Sequence, residues 1–508
     1  MVYVSPVVEL LRARPGLVFW TAALLQALLW VLVPALFYTS PPGDLPLVLA
    51  VGHEWQLGSW LGPPLAYWVA EIAFRLAGKS IVGVYILSQV CVVVTWWAVF
   101  TLGRAIVGGR HAAIAVLLMA GIAAFSVPTA DFGPAVLAMP LTALALLHYW
   151  RAVAEDRPKY WIGLGVDLGL LVLTTYTGVI LIAAMAAFTA ATRRGRLRLR
   201  GGLYPWAAIL IIVLLISPHL FWLRGPGLSG FAAFTRTPPL PVVVLQWSWL
   251  LAGVVLAHAG LIILAVVAAA RFVVPEAEVP AVERAPVGRF GKAFVYGFAL
   301  APVLAVTLAA AFGGQPTLAT GAGPFLVLSG LAVVLAAGDA IRIHRQGLVG
   351  WTWLALVLGP ALLTLVATLM LPWIGLVELR TSEPGPAIGH FVTDSFNRRT
   401  GRPLAIVVGD ARLGGLVALT SRDRPSLFID AAPERGPWIS DGEIAEKGAV
   451  VVWTLSDPAG QPPPAIRARF PDLVPEVPQS FERTIQGRLP LLRIGWAVIR
   501  PASAPPAR

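Results

Sequence analysis

The sequence predicts a polytopic α-helical membrane protein of about eleven spans followed by a C-terminal soluble α/β domain. Three observations predict it. Hydrophobic residues make up 57% of the 508 and charged residues only 13%, with a mean hydropathy of +0.78, far from the composition of soluble domains. Apolar runs near the roughly 20 residues needed to cross a bilayer recur along the first three quarters of the chain. From about Val377 they stop, and polar, Pro-rich sequence takes over.

Taken in order, spans are predicted over residues 17–38, 80–101, 111–127, 134–150, 160–176, 178–192, 204–222, 242–270, 291–313, 323–341 and 350–374. The stretch from Trp161 to Thr192 also reads as one long tilted helix. Leu17 to Tyr38 is too long and apolar for a cleaved signal and is read as a retained first helix. Basic residues fall mostly in alternate loops: Arg12 and Arg14; Arg104 and Arg110; Arg151, Arg157 and Lys159; the five arginines from Arg193 to Arg200; Arg271, Arg284, Arg289 and Lys292; Arg342 and Arg345. The intervening loops offer only Arg75, Lys79, Arg224 and Arg236. By the positive-inside rule the N-terminus is cytoplasmic and the C-terminal domain lies outside. The net charge of +12 is thus mostly an orientation signal and calls for no nucleic-acid partner. The single cysteine, Cys91, falls in a span, so no intramolecular disulfide can form.

Between the first two spans, residues 60–79 are apolar but carry Glu71, Arg75 and Lys79 at near-helical spacing, which predicts an amphipathic helix along the outer interface. The predicted division is therefore a membrane domain over 1–376 and an outer domain over 377–508. In the latter, strand-length apolar runs occupy Leu404–Val408, Ser426–Ile429, Val450–Leu455 and Leu492–Ile499, with a helical pattern at Leu413–Thr420. The tail after Pro501 is read as disordered.

This topology gathers polar residues on one face: Asp44, His53 and Glu54 in the first outer loop, Asp131 in the second, the Thr174–Gly178 break in the third, and Arg224 with Arg236 in the fourth. Carboxylates beside Trp55, Trp60, Tyr67 and Trp68 suit a lipid-linked, hydroxyl-bearing substrate. One carboxylate takes a proton from an acceptor hydroxyl, and a cation neutralises a phosphate leaving group. Each residue also has a plainer reading. Asp44 follows Pro41-Pro42-Gly43 and suits a turn, and Asp131 suits a helix N-cap. His53-Glu54 hints at a metal, but the second histidine of an HExxH motif falls at Leu57. Asp167, inside a span, is read as internally paired, and His148, His219 and His258 as packing residues.

Three stretches carry a family resemblance. The first runs from Asp44 to Gly58-Ser59-Trp60-Leu61-Gly62-Pro63-Pro64-Leu65 and Trp68. The second is Thr129-Ala130-Asp131-Phe132-Gly133-Pro134, followed by Tyr149-Trp150-Arg151. The third pairs Leu173-Thr174-Thr175-Tyr176-Thr177 with Ser217-Pro218-His219-Leu220-Phe221-Trp222. Together they resemble the bacterial family-39-type members of the GT-C glycosyltransferase superfamily, which include the lipid A aminoarabinose transferase and the protein O-mannosyltransferases.

The resemblance implies a GT-C-like fold and a catalytic pair: Asp44 as base, and Asp131 orienting the acceptor, the neighbours of Asp44 or a metal, with a divalent cation as candidate cofactor. It implies a polyprenyl-phosphate sugar donor, a cell-envelope acceptor (glycolipid, polysaccharide or protein) and inverting transfer on the outer face of the bacterial inner membrane. Arg224, His53, Glu54, Tyr176, Arg75, Lys79 and Trp60 are the candidate substrate- and phosphate-binding residues, Arg224 foremost among the cations. The chain departs from the family pattern at Leu45, Leu61, Gly62 and Thr175, where acidic or basic residues are usual. Two alternatives stand beside the transferase: a catalytically inactive relative and a polytopic lipid or sugar transporter. Against the latter, no internal repeat relates two halves of the chain.

Overall fold

The computed structural model describes residues 6–126, 130–224, 238–269, 281–314, 322–375, 379–455, 460–485 and 487–502. Thr129, Arg236, Arg271 and the predicted tail from residue 503 lie outside them.

Among the described residues, seven helices are long and apolar enough to cross a membrane: Pro15–Phe37, Val82–Val107, Pro134–Val153, Tyr204–Leu223, Leu240–Ala257, Arg289–Phe312 and Gln346–Ile374. Shorter apolar helices at Gly109–Met119, Tyr160–Val172, Gly178–Ala191, Ala259–Ala269 and Gly323–Ala336 account for the remaining predicted spans. The stretch from Trp161 to Thr192 is two helices, separated at Leu173–Thr177. The predicted span 242–270 breaks at His258, whose imidazole bonds the Val254 carbonyl at 2.7 Å and the Ser329 hydroxyl at 2.9 Å. Just beyond, Leu261 N–H donates to the Gly121 carbonyl at 2.9 Å, and a side chain at Gly260 would meet that same oxygen.

The chain divides into two compact units. One holds Met1–Leu32 with Tyr85–Leu362, the other Val33–Val84 with Leu363–Arg508. The first is built around Pro134–Val153, the most buried of the long helices. There Tyr149 packs against Phe294 and Phe298 and bonds the Thr189 hydroxyl at 2.6 Å. Asp167 is paired as expected, with His148 Nδ1 at 2.6 Å. A two-stranded ribbon, β1 (Ala281–Glu283) with β2 (Ala340–Arg342), completes this unit.

In the second unit a five-stranded sheet is formed by β3 (Ile406–Gly409), β4 (Ser426–Ile429), β5 (Ala449–Thr454), β6 (Gln479–Phe481) and β7 (Leu492–Ile499), in the order β4-β3-β5-β7-β6. The first three are parallel, joined through helices Leu413–Thr420 and Asp441–Lys447, while β7 pairs antiparallel with both β5 and β6. Strands buried on both faces read as continuous Val/Ile runs, as β3 and β5 do. Ile406, Val408, Phe428, Val451 and Trp453 form the core of this sheet.

The first long loop joins this unit through its backbone: Thr39 and Ser40 N–H both donate to the Thr381 carbonyl, at 2.9 and 3.1 Å. The loop holds two helices. The predicted amphipathic one is Leu65–Leu76; the other, Leu45–His53, has every residue from Leu45 to Gly52 buried. They cross closely at Gly52, where a Cβ would lie 2.3 Å from the Tyr67 carbonyl oxygen.

Candidate active site

Asp44 occupies the N-cap position of helix Leu45–His53, yet its carboxylate makes no capping bond. An N-cap aspartate normally accepts from the backbone N–H two or three residues on. Here Pro46 stands in the first turn and the carboxylate turns outward, 78% exposed, to accept from Arg380 Nη1 at 3.2 Å. The same guanidinium nitrogen donates to the Gly43 carbonyl at 3.3 Å.

Around this pair lies a pocket lined by Ser40, Pro41, Gly43, Asp44, Pro46 and Leu47 of the first loop and by Arg380, Glu383, Ala411, Arg412 and Leu416 of the C-terminal segment. Its walls are fixed by several contacts. Ser40 Oγ donates to the Glu383 carbonyl at 2.7 Å and accepts from Gly385 N–H at 3.3 Å. Helix Leu413–Thr420 approaches Leu47 closely because residue 415 is glycine; a Cβ there would lie 3.2 Å from Leu47 N. Glu383, buried to 7% side-chain exposure, forms an ion pair with Arg412. Burial, together with the neighbouring Arg380 charge, pulls the Arg412 pKa below the ordinary arginine value. The pocket thus holds two carboxylates and two guanidinium groups, with the Asp44 carboxylate open to solvent.

A second cluster lies in the same unit. Glu71 is buried at 1% exposure and accepts from Arg75 Nε at 2.7 Å and from Arg424 Nη2 at 2.8 Å. His53 Nδ1 lies 3.5 Å from Glu71 Oε1 and 3.4 Å from Arg75 Nη2. Burial alone pushes the Glu71 carboxyl up, but the hydrogen bonds from His53 and Arg75, with the Arg424 charge, outweigh it and hold the pKa below the ordinary glutamate value. Glu54, half-buried, moves the other way: burial raises its pKa against a hydrogen bond from Ser426 and the nearby charges of His53 and Arg424. Its Oε1 is enclosed without a hydrogen-bond partner. Arg424 stacks over Phe74 at 4.8 Å, Arg75 over Trp55 at 5.5 Å, and Arg435 over Trp60 at 5.0 Å.

The sequence-predicted residues therefore sort into distinct settings. Asp44 opens into the pocket. His53, Glu54 and Arg75 belong to the Glu71 cluster, where Arg75 is committed to a buried carboxylate. Trp60 lies under Arg435, and Lys79 is exposed in a left-handed turn at φ 64°. In the other unit, Tyr176 Oη bonds His219 Nε2 at 3.1 Å, which joins the Leu173–Thr177 turn to the Ser217–Trp222 element. Asp131, half-buried, stands two residues before Gly133, the actual N-cap of Pro134–Val153, and Arg224 is exposed at the end of Tyr204–Leu223. Sequence reading missed Arg380, Glu383, Arg412 and Arg424. Among the described residues no group of three or more His, Cys, Asp or Glu side chains is gathered to hold a metal ion.

Among the described residues, seven long apolar helices together with a C-terminal five-stranded sheet give the chain a GT-C-like architecture. The family model described as dolichyl-phosphate-mannose-protein mannosyltransferase matches residues 62–222. The structure is similar to that of ArnT from Cupriavidus metallidurans bound to undecaprenyl phosphate, with 14% identity and a TM-score of 0.52 over 95% of this chain and 97% of that one. It is also matched by the Archaeoglobus fulgidus oligosaccharyltransferase in complex with Zn and sulfate, at 13% identity and a TM-score of 0.49 over 86% of this chain and 68% of that one. No curated protein sequence matches the chain. The likeness to ArnT is one of fold, and the GT-C fold expected from the sequence is the one observed.

Proposed function

We propose that this multi-pass membrane protein is a glycosyltransferase that moves one sugar from a polyprenyl-phosphate carrier to a cell-envelope acceptor, with Asp44 as general base. The observation that carries the reading is the Asp44 carboxylate, which caps nothing, stands open in a pocket, and has a guanidinium at 3.2 Å. The family match over residues 62–222 and the fold shared with ArnT, which binds undecaprenyl phosphate, support the donor class.

The acceptor is a hydroxyl of an envelope glycolipid, polysaccharide or protein. Asp44 takes the hydroxyl proton as the oxygen attacks the anomeric carbon. The bond from that carbon to the phosphate oxygen breaks, its electron pair leaves with the lipid phosphate, and the anomeric configuration inverts. Cations beside the departing phosphate stabilise the charge that develops there. Asp131, Arg224 and Tyr176, in the membrane domain, keep the acceptor- and substrate-binding roles that the family resemblance implies. By sequence that domain runs over residues 1–376, although its first long loop, within Val33–Val84, belongs to the compact unit of the C-terminal sheet, and its N-terminus is cytoplasmic. Residues 377–508 form the outer domain, on the non-cytoplasmic side of the inner membrane.

The test is in-vitro transfer from a panel of polyprenyl-phosphate sugars by the purified protein, beside Asp44→Asn at matched folding. Turnover by the parent that disappears in the variant supports the reading; a folded parent inactive with every donor sinks it and favours an inactive relative or a transporter.

A further inference from the structure

From the geometry around Asp44 we infer that Arg380 is a two-position cation, paired with the Asp44 carboxylate at rest and transferred to the donor's phosphate when the lipid arrives. The inference deepens the transferase reading and rests on it. The two arginines of the pocket are held very differently. Arg412 neutralises Glu383, a carboxylate buried to 7% side-chain exposure, and moving it away strands a buried charge, which is costly. Arg380 is about as exposed as Arg412, 49% against 47%, but its partners are one backbone carbonyl and a carboxylate that is 78% exposed. An ion pair that open to water is weak and readily exchanged. A phosphate offers a guanidinium the bidentate geometry that the single 3.2 Å contact lacks.

Charge balance explains why the exchange matters. At rest the four groups sum to zero, with two carboxylates against two guanidinium ions. An incoming phosphate adds negative charge beside the ionised Asp44, and Arg380 is the mobile cation able to stand between them. Its transfer neutralises the leaving group and frees the carboxylate to accept the acceptor's proton in the same movement. After transfer the proton resides on Asp44, which no longer attracts Arg380. When Asp44 loses that proton to water, its charge draws the guanidinium back and loosens the product phosphate. This chain has no cation at Gly62 or Thr175, where basic residues are usual in the family it resembles, and the exchange supplies one from the C-terminal segment instead.

Equilibrium binding of a polyprenyl monophosphate and of the matching uncharged polyprenol to the full chain in detergent tests this without requiring turnover. Arg380→Gln is expected to weaken the phosphate lipid about tenfold, the loss of a charge-assisted hydrogen bond, and to leave the polyprenol unchanged. Asp44→Asn is expected to tighten the phosphate lipid severalfold by releasing Arg380, and the double variant to bind like Arg380→Gln alone. Unchanged phosphate affinity in Arg380→Gln, equal weakening of both lipids, or no tightening in Asp44→Asn overturns the exchange; if Asp44→Asn has also lost turnover, the transferase reading survives. A parent protein that binds the two lipids equally overturns both.

Discussion

Arg380 and Asp44 are 336 residues apart in sequence, yet their side chains meet at 3.2 Å because the loop carrying Asp44 and the segment entering the C-terminal sheet share backbone hydrogen bonds at Thr381. This relationship joins the carboxylate read as the base to a cation and separates two roles for Asp44. A capping aspartate stabilises its helix by about 1 kcal/mol, whereas this one is free of that task. Asp44→Asn is therefore expected to leave thermal unfolding in detergent within about half a kcal/mol of the parent, while turnover falls by about a hundredfold or more, the usual contribution of a general base. A large loss of stability with proportionate loss of activity returns Asp44 to the structural role.

The buried pair between Glu71 and Arg424 predicts the opposite pattern. Their side chains are 2% and 10% exposed and meet at 2.8 Å. Removing one partner of such a pair costs about 3–5 kcal/mol, since the other is left charged and unpaired. Glu71→Gln is expected to lower the unfolding temperature sharply, and Glu71→Leu with Arg424→Met to recover much of that loss. Thermal unfolding of the three proteins decides it; a Glu71→Gln protein as stable as the parent removes the pair from the fold's support.

What could be read in advance follows the range of the forces involved. Lipid-facing helices must be apolar over a bilayer's length, so Pro15–Phe37 and Gln346–Ile374 announce themselves. The bounds of Ser426–Ile429, Leu413–Thr420 and Leu492–Ile499 agree to the residue because each is a short apolar run between turn formers. Helix Leu45–His53 reads as loop in the sequence because it is buried nearly all round, which erases the amphipathic period, and is only nine residues long. Arg380, Arg412 and Arg424 left no local signal. They acquire meaning only when tertiary packing brings them to Asp44, Glu383 and Glu71, and no local periodicity encodes such contacts, two of which span more than 300 residues. The amphipathic helix expected over 60–79 is present as Leu65–Leu76, yet its acid points inward to Arg424, and the apolar Ile72 and Leu76 are exposed beside Arg75, at 44% and 84%.

Glu54 gives a pH-dependent prediction. Burial raises its folded pKa, so between the ordinary glutamate value, about 4.3, and the raised one, the native state binds more protons than the unfolded chain. Stability from this group is fully present below the ordinary value and is lost as pH rises through the folded pKa. Glu71, with its lowered pKa, acts in the reverse sense, so the comparison must isolate Glu54. Glu54→Gln keeps the shape without the charge and is expected to be more stable than the parent at neutral pH, with the advantage shrinking as pH is lowered toward 4. Unfolding temperatures of the two proteins across that range check it; a gap that widens toward acid refutes the assignment.

Gly52 makes the last prediction, because it sets how near the helix starting after Asp44 can lie to the helix carrying Glu71. A Cβ at this position would lie 2.3 Å from the Tyr67 carbonyl oxygen and 3.2 Å from Glu71 Cβ. Neither neighbour is the free end of a flexible side chain, so the helices must separate. Gly52→Ala is expected to cost about 1–3 kcal/mol, the usual range for overpacking. The separation also displaces Glu71 from Arg424 and shifts helix Leu45–His53, the support of Asp44. Stability and turnover should therefore fall together, unlike in Asp44→Asn, where turnover alone falls. Measuring both in the two variants separates the scaffold from the chemistry, and a Gly52→Ala protein of parental stability would show that the crossing tolerates a wider spacing than these contacts imply.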